Sequence, residues 1–179
     1  MKVSKRQLRK LIREQVEIVV TGDADSLLRD SLVPYLASLR AMHLWFHSAH
    51  NLTKGTGFAG DHTELYGNIY VDLQDHFDAA VEKAIGLTGD ESVGCPILLV
   101  GKAFELLKQY PTPSGASAHD IASAALKMLQ NHSDLLSDTF YTLEGVNALP
   151  LGLNDFLMSS ANTYETYTYL LQQRLKEGQ

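Results

Sequence analysis

Five of the seven histidines fall between His43 and Ile85, in the run HLWFHSAHNLTKGTGFAGDHTELYGNIYVDLQDHFDAAVEKAI. The same run carries Asp78 and Glu82, one helical turn apart, beyond a break at 52–60 that holds three glycines in nine residues. Imidazole and carboxylate groups gathered on either side of a tight turn suit iron(II) and leave coordination positions open to an oxidant. Cys95 is alone, which excludes an internal disulfide framework and any all-cysteine metal site.

The elements that must position these groups are helices. From about Ser31 to Asn51 the apolar residues Leu32, Leu36, Leu39, Met42, Phe46 and Ala49 recur every three or four positions. Pro34 suits the first turn of such a helix, and the preceding QVEIVVTGDAD reads as a short extended segment ending at Gly22. A second helix is expected over about Asp61–Gly86, with Leu65, Ile69, Leu73, Ala80 and Ala84 in its stripe. A short helix follows at 96–110, then a third over about Ala118–Tyr141, capped by Ser117, and a fourth over about Leu153–Lys176. At 179 residues this is one domain, taken as 23–179, behind an N-terminal arm, 1–22. The expected fold is all-α: an antiparallel four-helix bundle with a short extra helix in the crossover between helices two and three, which is the ferritin-like arrangement.

Helical geometry gives the acids a direction. At about 100° per residue with Ile69 at 0°, Asp78 falls near 180° and Glu82 near 220°, both away from the stripe that faces the bundle core. Ordinary ferritins hold metal inside the bundle with Glu-x-x-His motifs, and this sequence has none. A metal site using Asp78 and Glu82 needs completion from outside the bundle, most simply by a second subunit about a two-fold axis. His43, His47 and His76 lie on or beside apolar faces, where a histidine is more often a hydrogen-bonded core residue. His119 and His132 carry the same structural or surface expectation.

The residues now resemble a known family, the Dps-type mini-ferritins. Its pattern has a histidine ending the first helix, a Gly-containing turn with a Phe, a second histidine twelve residues on, and Asp-x-x-x-Glu late in the second helix. Here these are His50, Lys54-Gly55, Phe58, His62 and Asp78-Ala-Ala-Val-Glu82, and ANTYETYTYLLQQRL is similar to the family's closing helix. The resemblance implies that His50 and His62 of one subunit bind iron with Asp78 and Glu82 of its two-fold partner. Those four are then both the metal ligands and the catalytic residues. It further implies oxidation of iron(II), usually by hydrogen peroxide, and storage of ferric mineral in a hollow homododecamer that protects DNA. Three departures stand out. Asn51 replaces the tryptophan usual after the first histidine, with Trp45 nearly two turns earlier. Tyr66 stands where an acid usually follows the second histidine by four positions. His62 and Asp78 are sixteen residues apart where the family has fifteen. In an unbroken helix the extra residue turns His62 to about 20°, onto the core face. Either a one-residue π-bulge near Gly67–Asn68 turns it outward, or His62 sits in a non-helical start and Glu64 becomes a ligand.

The net charge of −6 is uneven: residues 1–14 carry a net +5, leaving −11 on the remainder. Lys2, Lys5, Arg6, Arg9, Lys10 and Arg13 read either as a DNA-binding arm or as the solvated face of an amphipathic helix. The alternative to a ferroxidase is therefore a Dps-like shell without that activity, acting mainly on DNA or as a structural protein. The charged start lacks the apolar region of a secretory signal, and no segment has the apolar length of a membrane span. The expected location is the cytoplasm, at the nucleoid. The KRQLRKLIRE opening resembles leaders of tailed-phage proteins, which would make it a host's cytoplasm.

Overall fold

The computed structural model describes the backbone of residues 5–176 and side chains from Ser26 to Lys176. Its elements are α1 (Lys5–Leu52), a π-helical turn (Gly60–Gly67), α2 (Asn68–Thr88), a 3-10 turn (Glu91–Gly94), α3 (Pro96–Leu107), α4 (Ala118–Gly145) and α5 (Leu151–Lys176). No strand occurs among the described residues, and no described helix is long and apolar enough to cross a membrane.

The pairing of side chains gives the topology. Between α1 and α2, His50 meets His62, His47 meets Tyr70, Arg40 lies over Phe77 and Arg29 bonds Asp90, so the two run antiparallel. Along α5, Asp61, Asp72, His76 and Lys83 meet Arg174, Tyr167, Tyr164 and Phe156 in turn, again antiparallel. With α4 packed on both α1 and α5, and α3 lying across α1 in the long crossover, this is the expected ferritin-like four-helix bundle. Its core is the apolar stripe read from periodicity: Leu36, Leu39, Phe46, Ile69, Leu73 and Leu157 are fully buried.

Two expectations need correction. Pro34 is not in a first turn but inside α1, and QVEIVVTGDAD is helical rather than extended. Burial of Leu28, Leu32, Val33 and Leu36 against the bundle outweighs the single backbone hydrogen bond that proline removes. Elsewhere local signals hold. Ser117 caps α4 by accepting from the Asp120 amide, and Gly89 (φ 64°) ends α2 in the left-handed conformation that glycine adopts without strain.

Candidate metal centre

His50, at the end of α1, and His62, in the π-helical turn, form the central feature. Their rings stack at 3.8 Å between centroids with 19° between planes. The Nδ1 of His50 lies 2.7 Å from the His62 carbonyl oxygen, and the Nδ1 of His62 lies 2.7 Å from the His50 carbonyl oxygen. A carbonyl oxygen only accepts, so both Nδ1 atoms must donate. The neutral form of each ring then has its free lone pair at Nε2, and backbone Nδ1–H···O=C bonds of this kind orient metal-binding imidazoles. Phe58 stacks on the other side of His62 at 5.0 Å, and Tyr70 packs obliquely against His50 at 5.1 Å.

The π-helical turn explains how His62 gets there. Of the two ways to absorb the sixteenth residue, the structure uses the helical one, spread over Gly60–Gly67 rather than confined to 67–68. His62 is half-buried beside His50 instead of in the core. Glu64 lies exposed in the same turn. Gly67 closes it: a Cβ there would lie 2.8 Å from the His62 carbonyl oxygen and 3.3 Å from His50 Nδ1. Only glycine admits the imidazole and the carbonyl so close to the backbone.

Asp78 and Glu82 lie exposed on α2, on the face opposite buried Leu73, Ala80 and Ala84. Asp78 lines a shallow groove with Arg40, Phe77, Val81, Pro96 and Val100. Among the described residues no three histidine, cysteine or acidic side chains of one chain converge as a metal site. The histidine pair and the acid pair are not brought together within one chain: Arg40 lines the groove with Asp78 and bonds His43, and His43 and His50 both pack on Tyr70.

The departures now have locations. Trp45 is buried, edge-on to Phe46 at 5.2 Å, and its indole N–H donates to the Pro111 carbonyl at 2.9 Å. Tyr66 is fully buried beside Phe46. Burial, reinforced by the nearby Asp61 charge, pushes its phenol well above the ordinary value. Counted back from Asp78 instead of forward from His62, the family's acidic position is Gly67. Either way no carboxylate occupies it. The six basic side chains of the arm, Lys2 to Arg13, lie outside the described residues.

The remaining histidines divide. His43 and His47 flank Tyr70 at 6.4 and 5.1 Å, and His43 Nδ1 accepts from Arg40 at 3.1 Å. Burial, Arg40 and His47 lower the His43 pKa, in that order. Inside the bundle, the Tyr164 hydroxyl and His76 Nδ1 are hydrogen-bonded at 2.6 Å, and Ser38 bonds His132 Nδ1 at 2.9 Å. His132 stacks on Tyr35 and meets Tyr164 edge-on. Burial, with a smaller contribution from His76, lowers the His132 pKa to about 3. His119 is exposed at the start of α4. Sequence reading named Gly67 only as a place for a bulge and missed the room it leaves for His50 and the His62 carbonyl. It also missed the buried pair Asp61–Arg174, which has no local signal across 113 positions.

No family model matches the sequence, and no curated protein does. Solved structures do. Dps of Mycobacterium smegmatis superposes with a TM-score of 0.70 at 18% identity, over 84% of this chain and 87% of that one. Dps of Microbacterium arborescens, in a form described as high-iron, gives 0.68 at 20% identity over 87% and 96%. Dps of Vibrio cholerae O1, described as a member of a broad superfamily of ferritin-like diiron-carboxylate proteins, gives 0.69 at 14% identity over 84% and 90%. The chain has the ferritin-like fold of the Dps proteins.

Proposed function

We propose that the protein is a Dps-like ferroxidase whose iron sites form between two subunits. The observation that carries this reading is the reciprocal bond between His50 and His62, which occupies both Nδ1 atoms and leaves Nε2 of each ring to a metal. The acids need a partner's histidines, and an apolar surface beside them supports a two-fold contact: Val71, Val100 and Phe104 are 47, 46 and 57% exposed. The ligand set is His50 and His62 from one protomer with Asp78 and Glu82 from the other.

Iron is the substrate. Two iron(II) ions each give one electron to hydrogen peroxide, whose O–O bond breaks; two protons are consumed and two waters leave. The imidazoles bind iron(II) through Nε2, the carboxylates offset the charge gained on oxidation, and Glu82 serves as the bridge between two ions. With Tyr66 buried and Gly67 without a side chain, the His62 side is the weaker one. Ferric product is stored within a shell of twelve subunits in the cytoplasm. The basic arm, 1–22, holds that shell to DNA by phosphate contacts. The missing carboxylate favours one second reading, a shell without ferroxidase activity that acts mainly on DNA.

Oxidation of iron(II) by peroxide under anaerobic conditions, followed by ferric absorbance, tests the choice. Asp78→Ala is expected to slow it by more than about 100-fold, beyond the usual cost of losing an outer-shell partner, while sedimentation shows the assembly intact. A wild-type rate no faster than that of iron(II) and peroxide alone overturns the ferroxidase reading in favour of the second, and an equal rate in Asp78→Ala overturns the assignment of Asp78.

A further inference from the structure

A π-helical turn is rare because an α-helix is the more favourable way to arrange the same residues. Something must hold this one. Gly67 makes room at its end, and the start is fixed by an ion pair. Arg174, in the last turn of α5, bonds Asp61 through Nε to Oδ1 at 2.8 Å and through Nη2 to Oδ2 at 3.0 Å. The Asp61 side chain is only 4% exposed, and two parallel charge-assisted bonds fix direction as well as distance. The loop before the turn is shaped around this pair. A Cβ at Gly57 would lie 2.7 Å from Nη2 of Arg174, so a side chain there displaces the guanidinium from Asp61.

Asp61 immediately precedes His62. If the turn relaxed to an α-helix, rotation relative to α2 would accumulate backward from Gly67 to about 100° near its start. His62 would leave His50 and face the core, and Asp61 would swing away from Arg174. The ion pair and the outward histidine therefore belong to one register of the chain.

We propose that Asp61–Arg174 is a latch that holds the π-helical register and so positions His62 for metal binding. This rests on the metal-centre reading above. Asp61 and Arg174 are positioning residues: neither is a proposed ligand, and they act through His62. The far end of the closing helix thereby governs the weaker half of the iron site.

Crystal structures of metal-free Arg174→Met and Gly57→Ala proteins read the register directly. The expected result is α-helical bonding through 60–67 and rings of His50 and His62 no longer stacked. An intact stack in Arg174→Met overturns the latch, whatever the metal does. Gly57→Ala moves the guanidinium without deleting it, and an intact stack there overturns the latch equally if Arg174→Met fails to fold. Cobalt(II) titration of the full-length protein supplies a second readout. Arg174→Met is expected to weaken cobalt(II) binding about 10-fold, as loss of a supporting partner does, and to cost nothing further in a His62→Ala background. Additive losses overturn the proposal, because they show general loosening instead of action through His62. A wild-type protein that takes up no cobalt(II) overturns the metal-centre reading, while the metal-free structures still decide the latch.

Discussion

The chain has two pairs of histidines in comparable positions, one on the outer side of the α1–α2 pair and one inside the bundle, and they are built differently. His50 and His62 bond backbone carbonyls, which can only accept, so their tautomer is fixed and Nε2 is left available. His76 and His132 bond the hydroxyls of Tyr164 and Ser38, which donate or accept and fix nothing by themselves. The outer pair is half-buried; His132 is sealed at 1% exposure among Tyr35, Ser38 and Tyr164. Burial lowers the pKa of both inner histidines, most strongly for His132, so they stay neutral as packing groups. Residue type alone therefore does not separate ligand from filler. The partner of the first ring nitrogen and the surroundings of the second do.

Acid should expose this difference most strongly. With a folded pKa of about 3 against an ordinary value near 6.5, the unfolded chain binds the His132 proton first as pH falls. The stabilising contribution is complete above the unfolded pKa and is lost from there down toward pH 3, by about 1.4 kcal/mol per pH unit. Urea unfolding at pH 7 and pH 4.5 measures it, and His132→Phe should flatten the slope. An unchanged slope would mean that the inner pair is not sealed. Tyr164→Phe is milder: it leaves His76 Nδ1 without its partner and should cost about 1–3 kcal/mol in urea, with iron(II) oxidation intact. Loss of oxidation in that variant would erase the division between the two pairs. The smallest effect belongs to His47→Ala. His47 is exposed and packs on Tyr70, so stability should stay within about 0.5 kcal/mol and metal uptake should not change. A fall in uptake would move His47 into the outer set.

The bundle could be read from periodicity because its apolar stripes repeat at helical spacing over four long stretches. The start of α1 could not, since Gly22, Pro34 and a β-branched run all signal a boundary, and at Pro34 the burial of Leu32, Val33 and Leu36 overrides that signal. The outward direction of Asp78 and Glu82 follows from spacing to Ile69 within one regular helix, where angles accumulate predictably. His62 lies across the irregular turn, so counting residues left two outcomes, and hydrogen bonding over Gly60–Gly67 decides between them. Asp61–Arg174 and the cluster of Tyr35, His132 and Tyr164 assemble from distant helices. No local pattern records such meetings.

Trp45 carries a practical consequence. It is the chain's single tryptophan, buried and tied by its indole N–H to Pro111, in the connection that leads from α3 to α4. Intrinsic fluorescence therefore comes from one spot, where the crossover seats against the first helix. A red shift in emission would announce that this seat has opened, even in a protein whose helicity is otherwise intact.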